Sequence, residues 1–260
     1  MKPSLRTCLI LTLTCATLWP DASAQKSTRP LIFAHNDYAQ PEPFFNAYAQ
    51  RVSFIEADVF VRDGDLWVAH DEKDLLPERT LQKLYLQPLL QNVQKYGGYP
   101  YRHKDLTLTL MIDFKTPWET TLPVLVDLLQ QRFPTLVQTK NLTFCISGAM
   151  PPPEQWAEIP GFINFDGRPH QLYTPQQLQR ILLVSHDYTK YSAWRGEGIC
   201  SAEDKKKLQA VVQIASDWQK QFRFWAIPDH HAGWQLMREL GVQVLNTDRV
   251  KALRRYLRKN

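Results

Sequence analysis

The chain is short of glycine, with 10 in 260 residues, and no glycine-rich phosphate loop follows its first apolar run. That absence counts against an open doubly wound sheet holding a dinucleotide at its first turn. Cysteine is scarce too: Cys8 and Cys15 lie near the start, and only Cys145 and Cys200 follow. Their spacing fits no metal site, and whether the last two pair depends on a fold that brings them together. Past the first residues, no apolar run is long enough to cross a bilayer. A strong charge of one sign is also missing. The formal charge of +5 is mild for this length and gives nucleic-acid binding little support. No low-complexity linker or short-period repeat interrupts the chain.

What is present begins with "MKPSLRTCLILTLTCATLWPDASAQ", which reads as a secretory signal peptide. Lys2 and Arg6 form its positive end, Cys8 to Trp19 its apolar middle, and Ala22-Ser23-Ala24 its small-residue cleavage site. The expectation is a signal peptide over residues 1–24 and one domain over 25–260, secreted or periplasmic, with no transmembrane segment after cleavage. Hydrophobic residues make up 44% of the chain, enough for a sizeable core. Near the end, "RVKALRRYLRK" suits a basic last helix, which leaves weak attraction to anionic lipid surfaces or phosphate esters open.

Eight apolar runs of strand length follow one another: "LIFA", "SFIEADVF", "LTLTLMIDF", "NLTFCIS", "GFINF", "ILLVS", "FRFWAI" and "VQVLN". Helical patterns separate them, several beginning at Pro, Ser or Thr and stopping near Gly. Strands alternating with helices predict a parallel sheet, and eight of them predict a single (β/α)8 TIM barrel.

In "FIEADVFVRDGDLWVAHD", Glu56 and Asp58 sit two apart, so a strand points both to one face. Buried carboxylates repel each other and are costly unless something positive compensates. No Lys or Arg lies inside the run before Arg62, which makes a divalent metal the leading candidate. Polar residues recur where other runs end: His35-Asn36-Asp37, His70-Asp71, Asp113 with Lys115, Asp166, His186-Asp187, Asp229 and Asn246-Thr247-Asp248. Barrel active sites are built at such ends. Glu56, Asp58 and Asp113 are hard oxygen donors suited to Mg²⁺ or Ca²⁺, unless they are salt-bridged or solvated instead. His35 and His70 suit an acid–base pair near neutral pH, although either alone also suits a structural role. Lys115 suits a phosphate oxygen or an exposed surface. Trp225 floors the pocket or packs in the core, and His230-His231 suits a surface.

These motifs resemble the phosphatidylinositol phospholipase C-like phosphodiesterases, which include glycerophosphodiester phosphodiesterases and sphingomyelinase D. The likeness rests on His35 in "AHNDY", Glu56 and Asp58 in "IEADV", His70 in "DGDLWVAHD", and Asp113 and Lys115 in "IDFK". "FRFWAIPD" and "LNTDRV" extend it toward the end. The resemblance implies Mg²⁺ or Ca²⁺ on Glu56, Asp58 and Asp113, proton transfer by His35 and His70, and phosphate binding by Lys115. Asn36, Trp225 and Asn246 complete the candidate substrate contacts. Asn36 stands where glycerophosphodiesterases usually carry arginine, so a planar phosphate-binding fork is missing there.

The expected function is therefore a metal-dependent phosphodiesterase for a small phosphodiester or lipid headgroup. A phosphoester-binding barrel without turnover is the alternative from another class. A glycosidase fits less well, because carboxylates two apart on one strand poorly flank a sugar ring.

Overall fold

Alternation within each apolar run divides its side chains between the inside and the outside of a closed sheet. The computed structural model describes residues 29–259, and the expected signal peptide lies outside them. Nine strands form: β1 (Leu31–Ala34), β2 (Phe54–Arg62), β3 (Asp65–Val68), β4 (Leu108–Phe114), β5 (Leu142–Gly148), β6 (Ile163–Gly167), β7 (Ile181–Asp187), β8 (Gln221–Trp225) and β9 (Val244–Thr247). The sheet runs β1-β9-β8-β7-β6-β5-β4-β2 and closes where β1 pairs with β2, while β3 pairs antiparallel with β2 as a hairpin. This is the (β/α)8 barrel predicted from the eight runs.

Around it lie α1 (Phe45–Ala49), α2 (Gln87–Lys95), α3 (Trp118–Asp127), α4 (Pro134–Val137), α5 (Pro175–Arg180), α6 (Ala202–Asp217), α7 (His231–Glu239) and α8 (Val250–Lys259). Local chemistry starts them. Thr174 and Gln177 form a capping box at α5. Ser201 accepts the Asp204 N–H at α6, whose first turn carries Glu203 and Asp204 against the positive helix end. "PPPEQWAEI" makes only a 3-10 helix, Pro153–Glu158, and Pro160 after it holds Ile159 extended and keeps the helix from continuing.

Outward-facing Ile32, Ile55, Ala57, Val59, Ile112 and Phe114 pack beneath the helices in the main core. Inward-facing Phe33, Phe54, Met111, Cys145, Leu183 and Val244 form a second, separate cluster. Two residues further along the same inward rows come Glu56, Asp113, Ser147, Ser185 and Asn246. The barrel interior is thus apolar below and polar toward the carboxyl ends of its strands. Cys145 and Cys200 are both buried and unpaired.

Candidate active site

The inward rows end in a cavity of about 350 Å³. His35, Asn36, Glu56, Asp58, His70, Asp113, Lys115 and Trp225, all candidates from the sequence, line it. Arg168 and Arg223 line it too. Asn246 does not: it is buried, and its Oδ1 accepts a hydrogen bond from Arg223 Nη1 at 3.3 Å. The expected substrate contact at Asn246 is therefore corrected to a support for Arg223. His230 and His231 stay outside the cavity.

Parallel register sets Asp58 beside Asp113, with Glu56 one step below on the same face. Lys115 Nζ bridges the pair, 2.9 Å from Asp58 Oδ2 and 2.8 Å from Asp113 Oδ1. Arg223 reaches across from β8, placing Nη1 3.7 Å from Glu56 Oε1 and Nη2 3.5 Å from Asp166 Oδ2. Arg168 Nη1 donates to Asp166 Oδ2 at 2.7 Å. The compensation for Glu56 and Asp58 comes from outside their run, in part from protein cations: Lys115 after neighbouring β4 and Arg223 on β8 across the barrel.

Burial still holds the Glu56 and Asp58 carboxyls above the ordinary carboxylate range. His35 and Arg223 pull Glu56 back, Lys115 pulls Asp58 back, and Asp113 pushes both up. Burial would lower the Lys115 ammonium, but Asp113 and Asp58 outweigh it and hold the proton on.

The two histidines differ in their support. His35 Nδ1 lies 2.6 Å from Asp248 Oδ1, and its Nε2 lies 3.6 Å from Glu56 Oε2. Burial acts to lower its pKa, yet Glu56 and Asp248 together raise it above the usual histidine value. A carboxylate on one ring nitrogen fixes the ring and directs the other nitrogen into the cavity. His70 sits at the rim with a 63% exposed side chain, its Nδ1 3.2 Å from Asp58 Oδ2 and 3.1 Å from the Tyr38 hydroxyl. That hydroxyl also lies 2.6 Å from Asn36 Oδ1 and 2.7 Å from Asp58 Oδ2, so its one proton serves two acceptors.

Backbone geometry completes the floor. Asn36 takes the left-handed conformation (φ 48°), which asparagine tolerates, and its N–H donates to Glu56 Oε2 at 3.2 Å. Gly148 also lies at positive φ, and a Cβ there would come within 2.7 Å of Asp113 Oδ1 and 2.4 Å of the Phe114 carbonyl oxygen. Only glycine fits.

Glu56, Asp58 and Asp113 are the donor type that Mg²⁺ or Ca²⁺ takes. Their oxygens have protein partners here: Lys115, Tyr38 and His70 at Asp58, Lys115 and Ser147 at Asp113. Among the described residues, no three His, Cys, Asp or Glu side chains stand close enough together to hold an ion. The donor chemistry fits a hard cation, and the Lys115 ammonium is the cation that joins Asp58 to Asp113.

Sequence reasoning missed Arg168, Arg223 and Tyr38. Arg223 carried a readable signal, a charge inside the apolar run "FRFWAI". Its guanidinium carbon lies 3.8 Å from the Phe33 ring centroid, so it rests on the apolar cluster below while facing the carboxylates above.

Residues 24–145 match the model of the AIM6-like phosphodiesterase domain. The chain is 26% identical to "Altered inheritance of mitochondria protein 6 homolog" of Arthroderma benhamiae, over 86% of this chain and 83% of that one. It is 38% identical to "Altered inheritance of mitochondria protein 6" of Lachancea thermotolerans, over 43% of this chain and 31% of that one. A crystal structure of a glycerophosphodiester phosphodiesterase from Parabacteroides distasonis superposes with a TM-score of 0.53 and 15% identity, over 88% of this chain and 97% of that one. The fold is therefore that of a phosphodiesterase-like TIM barrel, and the resemblance read from the motifs holds.

Proposed function

Proceeding from a phosphodiesterase-like barrel, we propose that the protein is an exported phosphoric diester hydrolase that uses Mg²⁺ or Ca²⁺. Its substrate class is a small phosphodiester or a lipid headgroup. One observation carries this reading: His35 and His70, from separate strand ends, line a single cavity floored by Glu56, Asp58, Asp113 and Lys115.

His35, held by Asp248, presents its second nitrogen to the cavity, and His70 stands at the rim. One takes a proton from the attacking hydroxyl, and the other gives a proton to the departing oxygen. Lys115 faces the phosphoryl oxygens, and its raised pKa keeps it cationic for that task. Arg168 lines the same cavity and supplies a planar guanidinium fork, offsetting the arginine missing at Asn36. Glu56, Asp58 and Asp113 would hold the divalent cation only with Lys115 withdrawn from its bridge between Asp58 and Asp113, and the cation would supply neutralisation of phosphoryl charge.

Purified protein assayed on diesters, monoesters and glycosides, with and without Mg²⁺ or Ca²⁺, tests this reading. Diester turnover that requires the cation is expected. A kcat/KM advantage for a monoester overturns the substrate class, and glycoside turnover restores the glycosidase. Calorimetry showing no Mg²⁺ or Ca²⁺ binding at millimolar levels removes the cofactor. The binding-only alternative draws on Lys115, which is engaged by two carboxylates rather than free for substrate. Diester binding without turnover under any of these conditions favours it.

A further inference from the structure

Four arginines gather around one cavity at the end of the barrel opposite the candidate active site. Arg29 precedes β1, Arg51 follows α1, and Arg254 and Arg258 lie one turn apart on α8. With His103 and Asp105 they line a space of about 420 Å³. No ion pair joins any of the four to an Asp or Glu among the described residues. Among the described residues, Asp105 is the one carboxylate that lines the cavity.

Arg254 is the centre of this arrangement. Its Nη2 donates to the Arg51 carbonyl at 2.8 Å, and its buried Nε has no partner. Burial lowers its pKa, and Arg258, Arg29 and Arg51 lower it further. Like charges one turn apart on a helix destabilise it, and an unpartnered buried donor costs its desolvation. A bound anion relieves both. Guanidinium groups offer planar pairs of donors that match phosphate oxygens, and the space holds a phosphate with a small substituent.

We propose that the cavity framed by Arg29, Arg51, Arg254 and Arg258 binds a phosphate-bearing oxyanion. The chemistry is shared by free phosphate esters and by the headgroup of an anionic lipid. The basic α8 makes either source accessible from solvent, since Arg258 and Lys259 are exposed. The site lies across the barrel from His35 and His70 and does not depend on the proposed hydrolase activity.

Thermal melts in inorganic phosphate and in chloride at matched ionic strength test the site. The double variant Arg51→Gln/Arg258→Gln is the probe, because both side chains are exposed and the fold does not rest on them. Lys115→Met reports phosphate bound at the other end, with Arg168→Gln in its place if that variant does not fold. Phosphate at a hundredfold excess over its Kd should raise the wild-type Tm by roughly 5 °C or more. The rise should vanish in the arginine double variant and persist in the active-site variant. Flotation with phosphatidylcholine vesicles, with and without phosphatidic acid, separates the sources. Retention on the anionic vesicles that the double variant loses assigns a lipid headgroup, and a phosphate response without retention assigns a free ester. A phosphate rise that survives the double variant overturns the proposal. So does the absence of both a phosphate-specific rise and variant-sensitive retention.

Discussion

The two ends of the barrel handle clustered charge in opposite ways. At the carboxyl end, Glu56, Asp58, Asp113 and Asp166 interleave with Lys115, Arg168 and Arg223, each within 3.7 Å of an opposite charge. At the other end, Arg29, Arg51, Arg254 and Arg258 share a cavity in which, among the described residues, Asp105 is the one carboxylate. The first end balances itself with groups from four strands or their ends. The second leaves its balance to solvent or to a ligand. Substitution, pH and salt should therefore act differently on the two.

The largest difference concerns activity, which the proposed function confines to the carboxyl end. His35→Ala and His70→Ala should each lower kcat/KM on an alkyl diester by on the order of 10²–10⁴-fold. A nitrophenyl diester needs no acid for its leaving group, so losing the acid should spare it while losing the base should not. Arg51→Gln/Arg258→Gln should leave both substrates within about twofold, well below that range. Near-normal alkyl-diester turnover in either histidine variant would make that residue structural.

Stability separates the ends next. Arg223 is buried and faces Glu56 and Asp166, so Arg223→Met takes a guanidinium from two buried carboxylates and leaves Glu56 with His35 and Asp166 with Arg168. Breaking a buried pair in this way costs about 3–5 kcal/mol, a Tm drop of roughly 6–20 °C. Arg258→Gln removes an exposed charge that no Asp or Glu among the described residues pairs, and it should cost nothing. Urea melts showing equal effects for the two substitutions would mean that the interleaved charges do not hold the upper end together.

Arg223 also marks how far the sequence could be read. Apolar runs of strand length, separated by helical patterns, made all eight barrel strands legible, because strands of a closed parallel sheet are buried on both faces. Glu56, Asp58, Asp113, His35, His70 and Lys115 were legible as a ring at strand ends. Their partners were not. The compensating charges for Glu56 come from β8, and counting charges within one run cannot reveal a neighbour across the barrel. Asn246 misled for the same reason: register places it beside Phe33, low in the barrel, where it meets Arg223 rather than the cavity. Whether Cys145 and Cys200 pair was likewise a tertiary question, since Cys145 belongs to the inward apolar cluster and Cys200 to the outer core.

Asp37 is the exception at the carboxyl end, a buried carboxylate facing no cation. Its Oδ2 accepts the Phe44 N–H at 2.5 Å and the Tyr85 hydroxyl at 3.1 Å, and its Oδ1 has no partner. Burial raises its pKa from 3.8 to about 6, against the pull of those two donors. Below about pH 4, folded and unfolded chains are both protonated there, and the group contributes no difference. Between about pH 4 and 6 the unfolded chain releases the proton while the folded chain keeps it, so stability falls as pH rises. Above pH 6 the cost is complete, on the order of 2–3 kcal/mol. The difference in unfolding free energy between Asp37→Asn and wild type should therefore grow in the variant's favour from pH 4 to pH 7. Parallel stability curves over that range would show that Asp37 does not titrate in the folded protein.

Salt should produce the smallest effect and locate it most sharply. Arg254 and Arg258 repel each other at one-turn spacing, with Arg29 and Arg51 adding to the same field. Between exposed charges this repulsion reaches about 30 Å at 0.01 M salt and about 3 Å at 1 M. Arg258→Gln should accordingly raise stability by roughly 0.2–0.5 kcal/mol in dilute buffer and by nothing measurable at 1 M sodium chloride. The deficit of Arg223→Met should persist at both concentrations, because its partners are buried and little screened. Phosphate in the lower cavity should erase the Arg258→Gln gain already in dilute buffer, since the anion supplies the missing opposite charge. Urea titrations of the two variants at both salt levels measure all of this in one series. A gain from Arg258→Gln that stays constant up to 1 M salt would trace to helix propensity or packing, and the contrast between the two ends would then not be electrostatic.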